Sequence, residues 1–201
     1  MLNVGLTGGL ASGKSVVGRE LEQLGCRVIR LDDLGHEVLL PSGEAYAKVV
    51  AAFGPSILDS DGSIHRRRLG QIVFADPQLL TKLNALVHPA IHARARALAE
   101  EFAATHPDGI LVTEAAILIE TGSYKDFDLL IVAACTPEQQ IERAVARGGL
   151  SRAEVLERMN RQLPIDEKRA YADFVVDTSG TEESTREQAR AVYAQLRSLA
   201  K

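Results

Sequence analysis

The chain has 201 residues, the length of one domain of ordinary size or of a domain with a small insert. Hydrophobic residues make up 46% of it and charged residues 25%, a composition that excludes a disordered or fibrous protein. The formal net charge is −4 and aromatic residues are only 4%, so no nucleic-acid-binding surface is expected. The longest strongly apolar run, residues 129–135, is too short to cross a membrane. Two distant cysteines and the lack of a secretory signal predict a cytoplasmic protein with no membrane partner.

Short apolar runs alternate with amphipathic stretches along the chain. The candidate strands are residues 2–7, 27–31, 110–113, 129–134 and 174–176. Several are rich in Val, Ile and Leu, which is typical of strands buried on both faces of a parallel sheet. The pattern therefore predicts an α/β fold in which helices cover a parallel sheet.

Helix signals stand at three places. After the first strand, apolar side chains recur on one helical face and Gly25 marks the end. The sequence at 184–187 fits a capping box and predicts the start of the last helix there. His88-Pro89 predicts another helix start, because proline suits the first helical turn.

Two stretches depart from a simple alternation of strand and helix. Residues 41–106 are mostly helical in pattern, and we interpret them as an insert between strands. Residues 137–171 are helical and rich in arginine, and we interpret them as a mobile cover, the lid segment. The core of this single unit is then formed by residues 1–35, 108–136 and 172–201.

Residues 8–15 match the phosphate-binding pattern G-x-x-x-x-G-K-[ST], with an apolar strand before them and an amphipathic helix after. Backbone N–H groups of such a loop point at phosphate oxygens, and the helix start adds partial positive charge. Lys14 would neutralise the β- and γ-phosphates, and the Ser15 hydroxyl would bind Mg²⁺. The alternative is a glycine turn that only joins strand to helix. The predicted nucleotide-binding residues are Gly8, Gly9, Leu10, Ala11, Ser12, Gly13, Lys14, Ser15 and Val16, together with Arg147 from the arginine-rich stretch.

Acidic residues follow two of the predicted strands. Asp32 comes directly after the second strand, where a carboxylate can accept the proton of an attacking hydroxyl; the alternative is helix capping. Glu114 ends the third strand and either holds the metal through water or faces solvent. Glu120 is a weaker candidate close behind.

Basic residues cluster in both helical stretches. The run at 65–68 is either a solvated helix face or a contact for an anionic second substrate. Arg143 and Arg147 stand one helical turn apart, so they form either a surface pair or part of a cover that stabilises transferring phosphate charge.

These motifs, taken in order, resemble the dephospho-coenzyme A kinase family over nearly the whole chain. The matching segments are residues 5–15, Asp32 with His36, 61–66 with Leu69, 83–89, 118–120, 140–143 with Arg147, Arg158 with Gln162, 167–168, 172–173 and 176–177. The phosphate loop alone occurs in many families, and the ordered set is far more specific.

The resemblance implies a P-loop kinase fold with a five-stranded parallel core, a helical domain for the coenzyme A precursor and a lid. It implies transfer of phosphate from ATP, with Mg²⁺, to the ribose 3′-hydroxyl of dephospho-coenzyme A. Asp32 takes the role of base, and Arg143 and Arg147 match the lid arginines. We expect a small-molecule acceptor, no nucleic acid, and a monomer or small homo-oligomer.

The sequence departs from the family pattern at four positions. Arg30 replaces an Asp, with Asp33 as a partial substitute, and Val16 replaces a Thr whose hydroxyl would meet the α-phosphate. Thr178 replaces a common Asn, and Ala116 replaces a Pro.

Two other functions fit the loop. One is a different small-metabolite or nucleoside monophosphate kinase, because fold does not fix substrate. The other is a regulatory module that binds ATP without transferring phosphate.

Overall fold

The computed structural model describes residues 1–200 and divides the chain into two compact units. The first unit combines residues 1–30 with the chain from residue 101 onward, and the second comprises residues 31–100. The phosphate-binding loop belongs to the first unit and Asp32 to the second.

The first unit is built on a sheet of five parallel strands, β1 to β5, in the spatial order β2-β3-β1-β4-β5. The strands are β1 (Leu2–Gly8), β2 (Arg27–Arg30), β3 (Ile110–Glu114), β4 (Leu129–Ala134) and β5 (Phe174–Asp177). All five predicted strands are therefore confirmed, with ends that differ by at most one residue.

Nine helices are described in residues 1–200. They are α1 (Lys14–Gln23), α2 (Leu31–Glu37), α3 (Tyr46–Phe53), α4 (Arg66–Ala75), α5 (Pro77–Thr105), α6 (Pro137–Ala146), α7 (Arg152–Met159), α8 (Ile165–Arg169) and α9 (Glu182–Leu199). Residues 41–106 and 137–171 are thus mainly helical, as their patterns predict. None of these helices combines the length and apolar character that a membrane crossing requires.

The core of the first unit lies between the sheet and the helices α1 and α9. Alternate side chains of β1, such as Val4 and Leu6, are fully buried there, as the two-residue period of a strand requires. Leu21 from α1 and Leu196 from α9 are also fully buried in this cluster. This packing holds the amino end of α1, and with it the phosphate-binding loop, at the end of β1.

The second unit has its own core, formed by the helices α3 and α4, the part of α5 before residue 101 and a short 3₁₀ turn. Val49 and Ile57 are fully buried in it. The chain enters this unit at α2, because Leu31 begins a helix instead of ending β2 as the sequence predicts.

Two predicted helix starts are wrong. Helix α9 begins at Glu182 and is capped by Thr181, whose side chain accepts from the Ser184 N–H at 3.1 Å, so the cap lies three residues earlier. Pro89 lies inside α5, and Pro77 occupies the first helical position instead. There the Asp76 carboxylate accepts from the Gln78 N–H at 2.8 Å. This bond satisfies one of the first N–H groups of the helix, which have no acceptor within the helix itself.

Both cysteines are buried free thiols, as the sequence predicts. Burial raises the pKa of each, and that of Cys26 reaches about 12. Because the thiolate is the reactive form, we assign both residues a packing role.

Candidate active site

The phosphate-binding loop connects β1 to α1 and ends at Gly13, the residue that precedes the helix. Gly13 has a φ of 87°, in the left-handed region that glycine adopts at low cost. A Cβ atom at this position would also lie only 3.0 Å from the Cβ of Thr178. The second motif glycine is therefore required both by backbone conformation and by packing.

Lys14 and Ser15, the first residues of α1, point functional groups at the loop and at β3. The Lys14 ammonium donates to the Gly9 carbonyl at 3.1 Å and lies 3.4 Å from that of Gly8. The Ser15 hydroxyl donates to Oε1 of Glu114 at 3.1 Å. A hydroxyl and a carboxylate side by side are hard oxygen ligands of the kind Mg²⁺ prefers, so these residues fit the predicted metal.

Glu114 is buried at the end of β3, in register with Leu6 of β1 and Arg30 of β2. Its Oε2 lies 3.6 Å from Nε of Arg30, which also pairs with Glu22 at 2.8 Å. The alternative in which Glu114 faces solvent is therefore wrong. Arg30, one of the four departures from the family pattern noted in the sequence, supplies a positive charge next to this carboxylate.

Thr178 and Arg143 stabilise the loop through a chain of hydrogen bonds. The Thr178 hydroxyl is buried and lies 2.6 Å from the Ser12 carbonyl and 3.1 Å from that of Ala134. Arg143 of α6 donates to the Thr178 carbonyl at 2.7 Å, while Arg147 caps the end of the same helix and is exposed. Arg143 is thus linked to the loop through Thr178. If Arg143 and Arg147 formed only a pair on the surface, this contact would not be needed.

Two glutamines of the lid segment, Gln140 and Gln162, contact the loop directly at Leu10. With Gly9 and apolar residues such as Met159 and Ile165 they line a cavity of about 350 Å³. That volume is at the small end for ligand sites, so the cavity admits part of a nucleotide-sized molecule. Sequence reasoning gave neither glutamine a role, although both stand within the motifs that carry the family resemblance.

A buried ion pair ties the end of the lid segment to the loop after β3. Lys168 is fully buried, and its ammonium contacts Glu120 at 2.7 Å and the Ala116 carbonyl at 2.8 Å. Glu120 also accepts from the Leu163 N–H at 3.0 Å. Burial lowers the pKa of Lys168, and the Glu120 carboxylate opposes that change. Glu120 therefore has a structural role as the partner of Lys168, a contact that its position in the sequence does not indicate.

We expect Lys168→Met to destabilise the protein by about 3 kcal/mol, because removing one partner leaves the other charge buried without compensation. Urea unfolding followed by circular dichroism measures this loss. The double variant Lys168→Met/Glu120→Gln removes both charges but keeps an acceptor for the Leu163 N–H, and it should recover more than half of the loss. A double variant as unstable as the single one would show that the ion pair is not the cause.

In the second unit, Asp32 and Asp33 lie in the first turn of α2, and both are exposed. The Asp32 carboxylate accepts no hydrogen bond from the residues described, so it does not cap this helix, although an acid there favours the helix dipole. Asp32 keeps the position, two residues after β2, that the sequence assigns to the base.

The basic run at 65–68 begins α4, and its members have different partners. The His65 side chain caps the helix by accepting from the Arg68 N–H at 3.1 Å. Arg68 donates to the carbonyls of Ser56 and Leu58 at 2.9 and 2.8 Å, and Arg66 contacts His36. Part of this run therefore stabilises the second unit from within.

The family model and three relatives similar in sequence agree on one family. A family model described as dephospho-CoA kinase matches residues 2–184. A dephospho-CoA kinase of Syntrophus aciditrophicus is 41% identical over 196 residues, which cover 98% of this chain and 83% of that protein. The solved structure of TT1252 from Thermus thermophilus is 32% identical with a TM-score of 0.78, covering 96% of this chain and 97% of that one. Dephospho-CoA kinase from Campylobacter jejuni, 24% identical with 96% of both chains covered, has the same fold at a TM-score of 0.65.

Proposed function

Because this chain belongs to the dephospho-CoA kinase family, we propose that it transfers the γ-phosphate of ATP to the ribose 3′-hydroxyl of dephospho-coenzyme A. The products are ADP and coenzyme A. The observation that carries the proposal is the loop at residues 8–15, where Lys14 and Ser15 begin α1 and the Ser15 hydroxyl donates to Glu114 at the end of β3. The family model matches this chain over residues 2–184, a range that includes the loop.

The loop binds the triphosphate of the donor. Backbone N–H groups between Gly8 and Val16 donate to its oxygens, and the Lys14 ammonium offsets charge on the β- and γ-phosphates. The Ser15 hydroxyl, with Glu114 behind it, would hold Mg²⁺, which when bound neutralises phosphate charge. Val16 supplies only its backbone, because it lacks the hydroxyl that a threonine would offer.

Asp32 acts on the acceptor. Its carboxylate takes the proton of the 3′-hydroxyl as the oxygen forms its bond to the γ-phosphorus, and the bond from that phosphorus to ADP breaks. Arg143 and Arg147 stabilise the charge that develops on the transferring group. The Arg143 contact with Thr178, which itself bonds the loop, supports this assignment.

The two helical stretches serve the two substrates. Residues 41–106 bind the coenzyme A precursor, and the lid segment excludes water during transfer so that the phosphate is not lost to hydrolysis. We also propose a cytoplasmic location, which the two free thiols support.

Acceptor choice is tested by offering the enzyme Mg²⁺-ATP with dephospho-coenzyme A, a set of nucleoside monophosphates, and shikimate, and by measuring ADP release with each. We expect kcat/KM for dephospho-coenzyme A to exceed that for every other acceptor by at least a hundredfold. A preference for a nucleoside monophosphate would favour the other kinase hypothesis. Slow hydrolysis that no acceptor accelerates would favour the regulatory module.

A further inference from the structure

Two glutamines of the lid segment bind the backbone of the phosphate-binding loop at a single residue, Leu10. The Leu10 N–H donates to Oε1 of Gln162 at 2.9 Å, and the Leu10 carbonyl accepts from Nε2 of Gln140 at 2.8 Å. Gln140 is buried in α6, and Gln162 lies between α7 and α8. Both polar groups of one loop residue are therefore satisfied by side chains more than a hundred positions away in the chain.

These bonds fix the orientation of two successive peptide groups. The Leu10 carbonyl and the Ala11 N–H belong to the same planar unit, so the bond from Gln140 also sets the direction of that N–H. Ala11 has a φ of 54°, a conformation that costs a non-glycine residue free energy and persists only where its surroundings impose it. Gln162 fixes the preceding peptide in the same way.

Gly9 shows how closely one of these side chains lies against the loop. A Cβ at this position would come within 2.0 Å of Nε2 of Gln140. Gly9 occupies a position that the loop motif leaves open to any residue, and its φ is not in the left-handed region. The close approach of Gln140 therefore leaves no room for a side chain at position 9 and explains why this residue is glycine.

We propose that Gln140 and Gln162 are positioning residues for the phosphate donor. A loop of this kind binds phosphate through the direction of its N–H groups, so side chains that fix its peptides before ATP arrives reduce the cost of ordering it on binding. The inference rests on the proposed function for the identity of the donor, and it assigns to the lid segment a role in binding ATP in addition to covering it.

The test is a calorimetric titration of Mg²⁺-ATP, without acceptor, into the parent and the Gln162→Met variant. Methionine keeps the side-chain length but gives the Leu10 N–H no comparable acceptor, and we expect the Kd for ATP to rise about five- to tenfold. In steady-state assays the KM for ATP should rise in proportion, while the KM for dephospho-coenzyme A stays within twofold. Gln195→Met, the same change on an exposed face of α9, serves as the matched control and should leave the Kd for ATP and both KM values unchanged.

Gly9→Ala and Gln140→Ala provide a second measurement. Each should weaken ATP binding, and the double variant should lose less affinity than the two single losses combined, because the added methyl group then meets a shortened side chain. An unchanged Kd in Gln162→Met, or an equal rise in both KM values, would overturn the inference. Titration needs no acceptor, so the Kd comparison alone tests the inference whether or not the parent phosphorylates dephospho-coenzyme A, which decides the proposed function.

Discussion

Asp32→Asn is expected to lower kcat for phosphorylation of dephospho-coenzyme A by roughly a thousandfold, within the range that a general base contributes. Asparagine has nearly the same shape but cannot accept the proton of the attacking hydroxyl. The change lies outside the phosphate-binding loop, so the Kd for Mg²⁺-ATP should stay within twofold of the parent value. Stopped assays for coenzyme A and calorimetric titration with ATP measure the two quantities separately.

Asp33→Asn is the matched control, because Asp33 is the next residue of the same helical turn and is also exposed. We expect it to retain most of the parent kcat. An Asp32→Asn enzyme that turns over near the parent rate would remove Asp32 from the role of base. If Asp33→Asn instead shows the large loss of kcat, the base is Asp33. Asp33 would then replace the carboxylate that the family pattern has at the position of Arg30.

Lys14→Met is expected to impair both binding and transfer, in contrast to the change at Asp32. The Lys14 ammonium donates to the Gly9 carbonyl, and in the proposed mechanism it is the charge that the loop brings to the β- and γ-phosphates. Its removal should lower kcat/KM for ATP by about 10³-fold, because a charge that stabilises the transferring group acts in a site shielded from water. Titration with ATP should show weaker binding, and assays at saturating ATP should show a lower kcat.

Lys125→Met controls for the loss of one positive charge, because Lys125 is exposed and lies in a different loop. This variant should behave as the parent in both assays. A Lys14→Met enzyme with unchanged ATP affinity and rate would exclude the loop from the mechanism.

The sheet and the loop were predictable because their signals are local. Each strand is a short run of apolar residues bounded by polar ones, and burial on both faces of a parallel sheet requires such a run. The loop motif specifies its own turn, since Gly13 must adopt a left-handed conformation before α1 can begin. Confirmation of all five strands reflects this local character.

The contacts that complete the site were not predictable, because they join distant parts of the chain. Nothing in the residues around Lys168 indicates full burial, which arises only when Glu120 and the Ala116 carbonyl meet it. The sequence identifies Thr178 only as a replacement for Asn, whereas its hydroxyl donates to the Ser12 carbonyl 166 positions away.

The two wrong helix starts have a different origin. At α9, Thr181 and Ser184 are both good capping residues, and the local sequence does not decide between them. At α5, the continuing apolar contacts of the second unit keep the helix intact through Pro89, while Pro77 already fills the position that proline prefers.

The proposed reaction is tested by incubating the enzyme with Mg²⁺-ATP and dephospho-coenzyme A and analysing the products by mass spectrometry and ³¹P NMR. We predict one ADP for each acceptor converted, and a product that carries one added phosphate as a monoester on the ribose 3′-oxygen. Release of ADP without phosphorylated acceptor, or attachment of the phosphate at any other oxygen, would contradict transfer to the ribose 3′-hydroxyl.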